Sequence, residues 1–320
     1  MPRMADALSA PLFERVAIIG MGLIGSSIAR AAKHYGAASI VVAGDRDEAV
    51  CRRVRDLGFA DVVTHSAVEA VAEADLVILC VPVGVMGDVA AEIGAYLKPG
   101  AIVSDVGSVK NAVVEALSPH LAEGVWLVPA HPVAGTEYSG PDAGFAVLFE
   151  NRWCILTPCD RSSDDAVAAV TALWRAFGSN VETMTPTHHD LVLAITSHVP
   201  HLIAYNIVGT AAHLEAVTQS EVMKFSAGGF RDFTRIASSD PTMWRDVFLH
   251  NKEAVLEMLG RFNEDLAALA KMVRWGDGDG LFDLFTRTRA IRRGIIAQGQ
   301  ETQAPDFGRR GPTSDPAAKA

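Results

Sequence analysis

Three glycines in the order GxGxxG, set between an apolar run and a helical one, constrain this chain more than any other feature: Val16-Ala-Ile-Ile-Gly20-Met-Gly22-Leu-Ile-Gly25-Ser-Ser-Ile-Ala-Arg30. A strand that stops abruptly and turns straight into a helix is the arrangement that needs glycine at all three places. Gly20 permits the tight turn, Gly22 has no Cβ to hold a pyrophosphate off the backbone, and Gly25 lets the helix lie close to the strand. The N–H groups that open the helix, around Gly22, Leu23 and Ile24, then face the phosphates. Gly-rich turns are common, and a tight strand–helix turn with no ligand is the plainer reading.

The context favours the ligand. A second apolar run, Ile40-Val41-Val42-Ala43, ends in Asp45, twenty positions past Gly25, where a carboxylate would accept from the adenine-ribose hydroxyls of NAD. Arg46 directly follows and is placed to stack on adenine or meet a 2′-phosphate, so NADP stays open beside NAD. Val81 closes a further strand, Leu76–Val81, at the same edge.

Between residue 16 and residue 186 short apolar runs alternate with longer amphipathic ones, the trace of βαβ units around a mainly parallel sheet. Strands are expected at Val62-Val63, Ala101–Asp105, Trp126–Val128 and Trp153–Leu156, with helices ending near Leu57 and spanning about Val85–Leu97. Over 187–299 strand signals cease, and helices are expected from His188 to about Val217, from Met243 to about Arg274 and from Leu281 to about Arg293. The fold class is therefore α/β, a Rossmann-type domain followed by an all-helical domain whose broad apolar faces suit dimerisation. Residues 1–15 and 300–320 lack apolar periodicity and are expected to be disordered.

Net charge is −10 with no Lys/Arg block, which argues against nucleic acid and against an anionic membrane surface. Cys51, Cys80, Cys154 and Cys159 form no CxxC pair and read as thiols of a reducing, cytoplasmic compartment. No apolar run is read as long enough to span a membrane.

Three stretches are poor structure-builders and good candidates for chemistry. In Asp105-Val-Gly-Ser108-Val-Lys110, Ser108 is either a helix N-cap or an orienting hydroxyl. In His131-Pro-Val-Ala-Gly-Thr136-Glu137-Tyr-Ser-Gly140, His131 follows a strand, where an imidazole takes a proton at neutral pH unless it merely caps or faces water. In Thr196-Ser-His198-Val-Pro-His201 and Gly228-Gly-Phe-Arg231-Asp-Phe-Thr-Arg235, the arginines are anion clamps or interdomain ion pairs. The His198/His201 spacing raises a metal site, but no HExxH and no third ligand at conventional spacing accompany it, and none is expected.

Taken in order, GMGLIGSS, SDVGSVK, HPVAGTEYSG, TSHVPH and GGFRDFTRIASSDPTMWRDVFLHN resemble the prephenate/arogenate dehydrogenase family of tyrosine biosynthesis, over about Val16 to Arg293. The resemblance implies NAD-dependent oxidative decarboxylation of a cyclohexadienol in a homodimer. On the matching positions, it makes His131 the acceptor of the 4-hydroxyl proton and Ser108 the serine bonded to that hydroxyl. It assigns the substrate carboxylates to His201 and Arg235, and lines the same pocket with Thr136 and Glu137. Two other readings remain at this point. A hydroxyacid or imine dehydrogenase would use a helical-domain lysine, with Lys224 and Lys252 as candidates, and a sensor would bind NAD without turnover.

Overall fold

The computed structural model describes residues 10–136, 138–215, 224 and 227–295. Strands β1 (Phe13–Ile19), β2 (Ala38–Gly44), β3 (Val62–Thr64), β4 (Leu76–Leu79), β5 (Ile102–Asp105) and β6 (Trp126–Val128) form one parallel sheet in the order β3-β2-β1-β4-β5-β6. The order reverses between β1 and β4, and ligands of open α/β sheets bind at such a switch point. Both faces are covered. Val16 and Ile18 of β1 enter one apolar cluster with Ile28, while Ala17 and Ile19 enter the other with Val77 and Leu79, as period-two alternation requires. Helices α1 (Leu23–His34), α2 (Glu48–Leu57), α3 (Ala67–Val71), α4 (Val83–Ile93) and α5 (Asn111–Leu117) make the connections.

The glycine loop behaves as its residues demand. Gly20 has φ of 99°, and a Cβ there would lie 2.7 Å from the Cys80 carbonyl oxygen. A Cβ on Gly25 would stand 1.9 Å from the Gly20 oxygen, whereas one on Gly22 would meet nothing within 4 Å. The close approach thus belongs to Gly20 and Gly25, and the open space to Gly22.

Several expectations are corrected. β1 begins at Phe13, inside the stretch read as disordered, because Leu12 and Phe13 donate to the Ala37 carbonyl. The remaining residues 1–9 and 300–320 of those terminal stretches lie outside the described residues. Trp153–Leu156 is a strand, β8, but not of the main sheet. It pairs with β7 (Ala130–Pro132) antiparallel and with β9 (Asn180–Thr183) parallel, β9 being reached through helix α6 (Asp164–Ala176). β9 escapes a hydrophobicity reading because three of its four residues are polar, Asn180, Glu182 and Thr183. His131 accordingly sits within a strand, opposite Ile155, rather than after one.

Helix α7 (Pro186–Leu193) runs through a π turn (Ala194–His198) into α8 (Val199–Glu215) without a break. Pro200 is tolerated just past the π turn, where the i→i−4 ladder is already suspended. The continuous stretch 186–213 is long and apolar enough, by length and composition, to cross a membrane, against the expectation that no run reaches that length; the mean hydropathy stays high because its polar residues are scattered among apolar ones. The helix expected over Met243–Arg274 is two, Pro241–His250 and Lys252–Trp275, divided at Asn251. Ahead of them, Gly228–Thr234 is a short helix that passes into a 3₁₀ turn at Arg235–Ser238.

These elements up to Met258 form one compact unit, and Leu259 onward forms a second. The second holds the rest of helix Lys252–Trp275 and the helix Gly278–Ile295, and it exposes Val273, Trp275, Phe282, Phe285 and Ile291.

Gly25→Ala is expected to lower the thermal unfolding midpoint by more than about 3 °C, since a backbone oxygen cannot yield as a side chain does. Gly22→Ala should leave the midpoint within about 1 °C of the parent in the same scan, a Cβ there meeting open space. Equal losses in the two variants would contradict this account of the turn.

Candidate active site

β5 ends in Asp105, whose carboxylate is fully buried beside the equally buried Lys110 ammonium, 2.5 Å away. Asp105 also accepts from the backbone N–H of Gly107 at 2.7 Å and of Ala130 at 3.2 Å, and Lys110 donates to the Ala130 carbonyl at 2.7 Å. Burial pushes the carboxyl up and the ammonium down from their ordinary values, while each one's charge works against the other's shift. The pair fastens the Ser108 loop to the strand that carries His131.

Ser108 is half-buried in that loop and does not cap α5. The cap comes from Asp190 on α7, whose two oxygens accept from Lys110 N at 2.7 Å and Asn111 N at 2.9 Å. Asp190 Oδ1 also lies 2.8 Å from His189 Nδ1, and His189 Nε2 lies 2.9 Å from His131 Nδ1. A carboxylate, an imidazole and a second imidazole are thereby joined in one buried chain. Asp190 is held ionised, because although burial opposes it, His189 and the two N–H donors outweigh that cost. Asn251, at the helix break, donates to the Asp190 carbonyl at 2.8 Å and stands 3.1 Å from His198 Nδ1.

The imidazoles are neutral. His131, 7% exposed, is pushed well below the ordinary histidine value by burial and then by His189, Lys110 and His198. Burial lowers His189 too, with Asp190 opposing, and brings His198 to about 4, with Asp190 and the nearby Ser108 backbone opposing.

A second group adjoins. His201 stacks on Trp244, ring centroids 3.6 Å apart, and donates from Nδ1 to the Ser197 carbonyl at 2.8 Å. Burial lowers its pKa, and Arg235 is near enough to lower it further. Arg235 opens a 3₁₀ turn after a short helix rather than lying in a loop. Nε2 of His198 and Nε1 of Trp244 are buried without hydrogen-bond partners among the described residues. Orphaned polar atoms in one neighbourhood are what a missing polar ligand leaves behind.

At the glycine loop, α1 begins at Leu23 with Gly22 as its N-cap and no side chain bonded to its first N–H groups. Asp45 follows β2, its carboxylate accepting from Met21 N at 2.8 Å and Asp47 N at 2.9 Å, so the acid is oriented against the loop. Arg46 is exposed, and Ile24 and Val81 are half-buried. An open Gly22, uncapped N–H groups and a fixed carboxylate fit a dinucleotide.

Of the expected site residues, His131 and Ser108 are brought to one cluster and His201 and Arg235 to another. Among the described residues Thr136 makes a local bond, accepting from Tyr138 N at 3.3 Å, and Glu137 lies outside the described residues. Among the described residues no three His, Cys, Asp or Glu side chains are grouped to hold a metal ion. The sequence reading missed His189, Asp190, Asn251 and Lys110. The one local signal is Thr185 ahead of Pro186, which suffices to cap α7 by accepting from His188 N and leaves Asp190 no capping use of its own.

Comparison with known proteins agrees with this architecture. Residues 28–183 match the family model described as prephenate dehydrogenase, nucleotide-binding domain, and residues 185–287 the one described as prephenate dehydrogenase, dimerization domain. The chain is 44% identical over 281 residues to a cyclohexadienyl dehydrogenase of Zymomonas mobilis, covering 88% of this chain and 96% of that protein. It is 34% identical over 285 residues to a prephenate dehydrogenase of Bacillus subtilis, covering 88% and 76%. Among solved structures, prephenate dehydrogenase from A. aeolicus in complex with hydroxyphenyl propionate and NAD+ superposes with a TM-score of 0.83 at 33% identity, covering 91% of this chain and all of that one. With both halves matched in order and a relative this similar along nearly its whole length, the chain belongs to the prephenate dehydrogenase family.

Proposed function

We propose that this protein catalyses the NAD-dependent oxidative decarboxylation of prephenate, arogenate or both, giving 4-hydroxyphenylpyruvate or tyrosine. The observation that carries the reading is His131, buried, neutral and hydrogen-bonded through Nδ1, in β7 three residues past the end of β6 and tied to the Ser108 loop. The N–H groups around Gly22, Leu23 and Ile24 would hold the pyrophosphate and Asp45 the adenine ribose, with Gly20 and Gly25 shaping the loop and Val81 bordering it. When bound, NAD accepts the C4 hydride. The fixed charge of Asp45 disfavours a 2′-phosphate, which supports NAD over NADP.

His131 takes the 4-hydroxyl proton and Ser108 orients that hydroxyl. The ring ketone so formed draws in the electrons released as the ring carboxylate leaves as CO2, and aromatisation makes this step downhill. His131 then returns its proton to the phenol oxygen. A weak base suffices, because the hydroxyl becomes acidic as the hydride departs. Arg235 supplies the cation for a substrate carboxylate beside a neutral His201, and the family motif assigns Thr136 and Glu137 to the same pocket.

We place the boundary between the nucleotide-binding and helical parts at Pro186, supported by the start of α7 there and by family matches that meet between residues 183 and 185. A cytoplasmic location is supported by Cys51, Cys80, Cys154 and Cys159 all being free thiols. A homodimer is supported by the dimerization-domain match and by the apolar side chains exposed at Trp275, Phe282, Phe285 and Ile291.

NADH absorbance at 340 nm is expected to rise with prephenate or arogenate and not without them, and His131→Asn should lower kcat by about 10²–10⁴-fold with NAD affinity unchanged. No turnover with either substrate and either cofactor would refute the activity, and an Asn variant near the parental rate would refute the role of His131. Arg235→Gln should raise KM for the substrate about 10- to 150-fold while lowering kcat much less, the value of a hydrogen bond to a charged group; an unchanged KM would move the carboxylate elsewhere. In sedimentation at micromolar concentration the protein should run at twice its 34.0 kDa chain mass, and a monomer would remove the dimer.

A further inference from the structure

The buried chain behind His131 contains two groups with no part in the reaction as written. Two neutral imidazoles that share one hydrogen bond can orient it either way, and nothing in the pair itself selects the direction. In one direction His131 keeps its proton on Nδ1 and offers a lone pair at Nε2. In the other it carries the proton on Nε2 and cannot accept one there.

We infer that His189 and Asp190 are positioning residues for His131: the Asp190 carboxylate accepts from His189 Nδ1, His189 Nε2 accepts from His131 Nδ1, and the lone pair of His131 is left on Nε2. The inference rests on His131 being the base. The Asp190 carboxylate can only accept, so it fixes the first bond and, through it, the second. Its own orientation is set by the N–H groups of Lys110 and Asn111, two and three residues past Ser108, and by Asn251 on its carbonyl. One carboxylate thus sets both the tautomer of the base and the start of the helix behind the hydroxyl loop.

The charges around His131 make this arrangement consequential. Lys110 with Asp105 from the β5 edge, Cys154 from β8, and His198 from the π turn surround the two imidazoles. Lys110 opposes a proton on His131, and the ion pair with Asp105 only partly offsets it. His189 lowers the His131 pKa only through its own charge when protonated; kept neutral by burial, with its Nδ1 proton held by Asp190, it accepts from His131 Nδ1 and stabilises the imidazolium that forms when the hydroxyl proton arrives. Removing the acceptor at 189 makes that imidazolium harder to form, so the acid limb of activity moves to lower pH.

The test uses His189→Leu, His189→Gln and Asp190→Asn in the full-length protein, with kcat, both KM values, the pH profile of kcat/KM, and NAD affinity by fluorescence quenching. His189→Leu is expected to lower kcat about 10- to 100-fold, less than loss of the base itself, and to shift the acid limb down by about half a unit or more. NAD affinity and KM should stay within about threefold. His189→Gln, which keeps an acceptor, should recover part of the rate. Asp190→Asn turns an NH₂ donor toward His189, favours the opposite tautomers, and should fall below the Gln variant. The pH limb is independent of the fraction of protein folded, so it separates positioning from mere destabilisation. An acid limb left in place, or a His189→Leu kcat within about twofold of the parent, overturns the inference. If His131→Asn abolishes turnover while His189→Leu behaves as the parent, only this inference falls; if His131→Asn retains turnover, the reading it rests on falls with it.

Discussion

The Asp105–Lys110 ion pair is the contact on which the site depends. Removing two charges from water costs several kcal/mol per ion, and their attraction offsets this only when the remaining donors and acceptors are matched. Here they are matched largely by backbone: Gly107 and Ala130 N–H on the carboxylate, and the Ala130 carbonyl on the ammonium. An apolar pair of the same volume could fill the space as stably, but it would have no direction. The ion pair defines where the loop after β5 lies against the first residue of β7, and His131 is the next residue along. The Ser108 loop is therefore fastened to the strand that carries His131.

A second consequence follows from where charge is allowed to remain. The carboxylates and the ammonium of this region are compensated inside it, while the imidazoles of His131, His189 and His198 are kept neutral by burial. Proton uptake by such a cluster is a property of the group, since each imidazole senses the charge on the next. Arg235 stands near enough to His201 to lower its pKa, which places a positive charge beside this neutral cluster in a chain whose net charge is −10.

The main sheet was legible because its physics is local. Buried parallel strands need unbroken apolar runs, and the glycine turn needs glycine where a Cβ would strike a carbonyl at 2.7 or 1.9 Å. Polar, short β9 was illegible, since its stability comes from pairing with β8 rather than from its own side chains. Site residues divide the same way. His131, Ser108, His201 and Arg235 stand in motifs whose glycines and prolines mark them as unusual. His189 and Asp190 sit in a helix, 58 or more residues in sequence from His131 and Lys110, the partners that tie them to the site, and no local pattern encodes that meeting.

The same helix explains why an apolar stretch of membrane-spanning length can belong to such a site. A lone span in lipid would keep ionisable side chains away from its hydrocarbon-facing surface, paired only with other buried protein groups. In this helix those groups are used in one direction: Asp190 on the α5 backbone and His189, His189 on His131, His198 beside Asn251. What is left outward includes Leu191, Ile195 and Ile207. The stretch thus holds its buried ionisable side chains against the cluster, while its exposed surface carries apolar side chains together with His188, Thr196, Asn206 and Thr210. The π turn joins α7 to α8 as one continuous element, so His189, Asp190 and His198 are held in one frame by the same stretch of backbone.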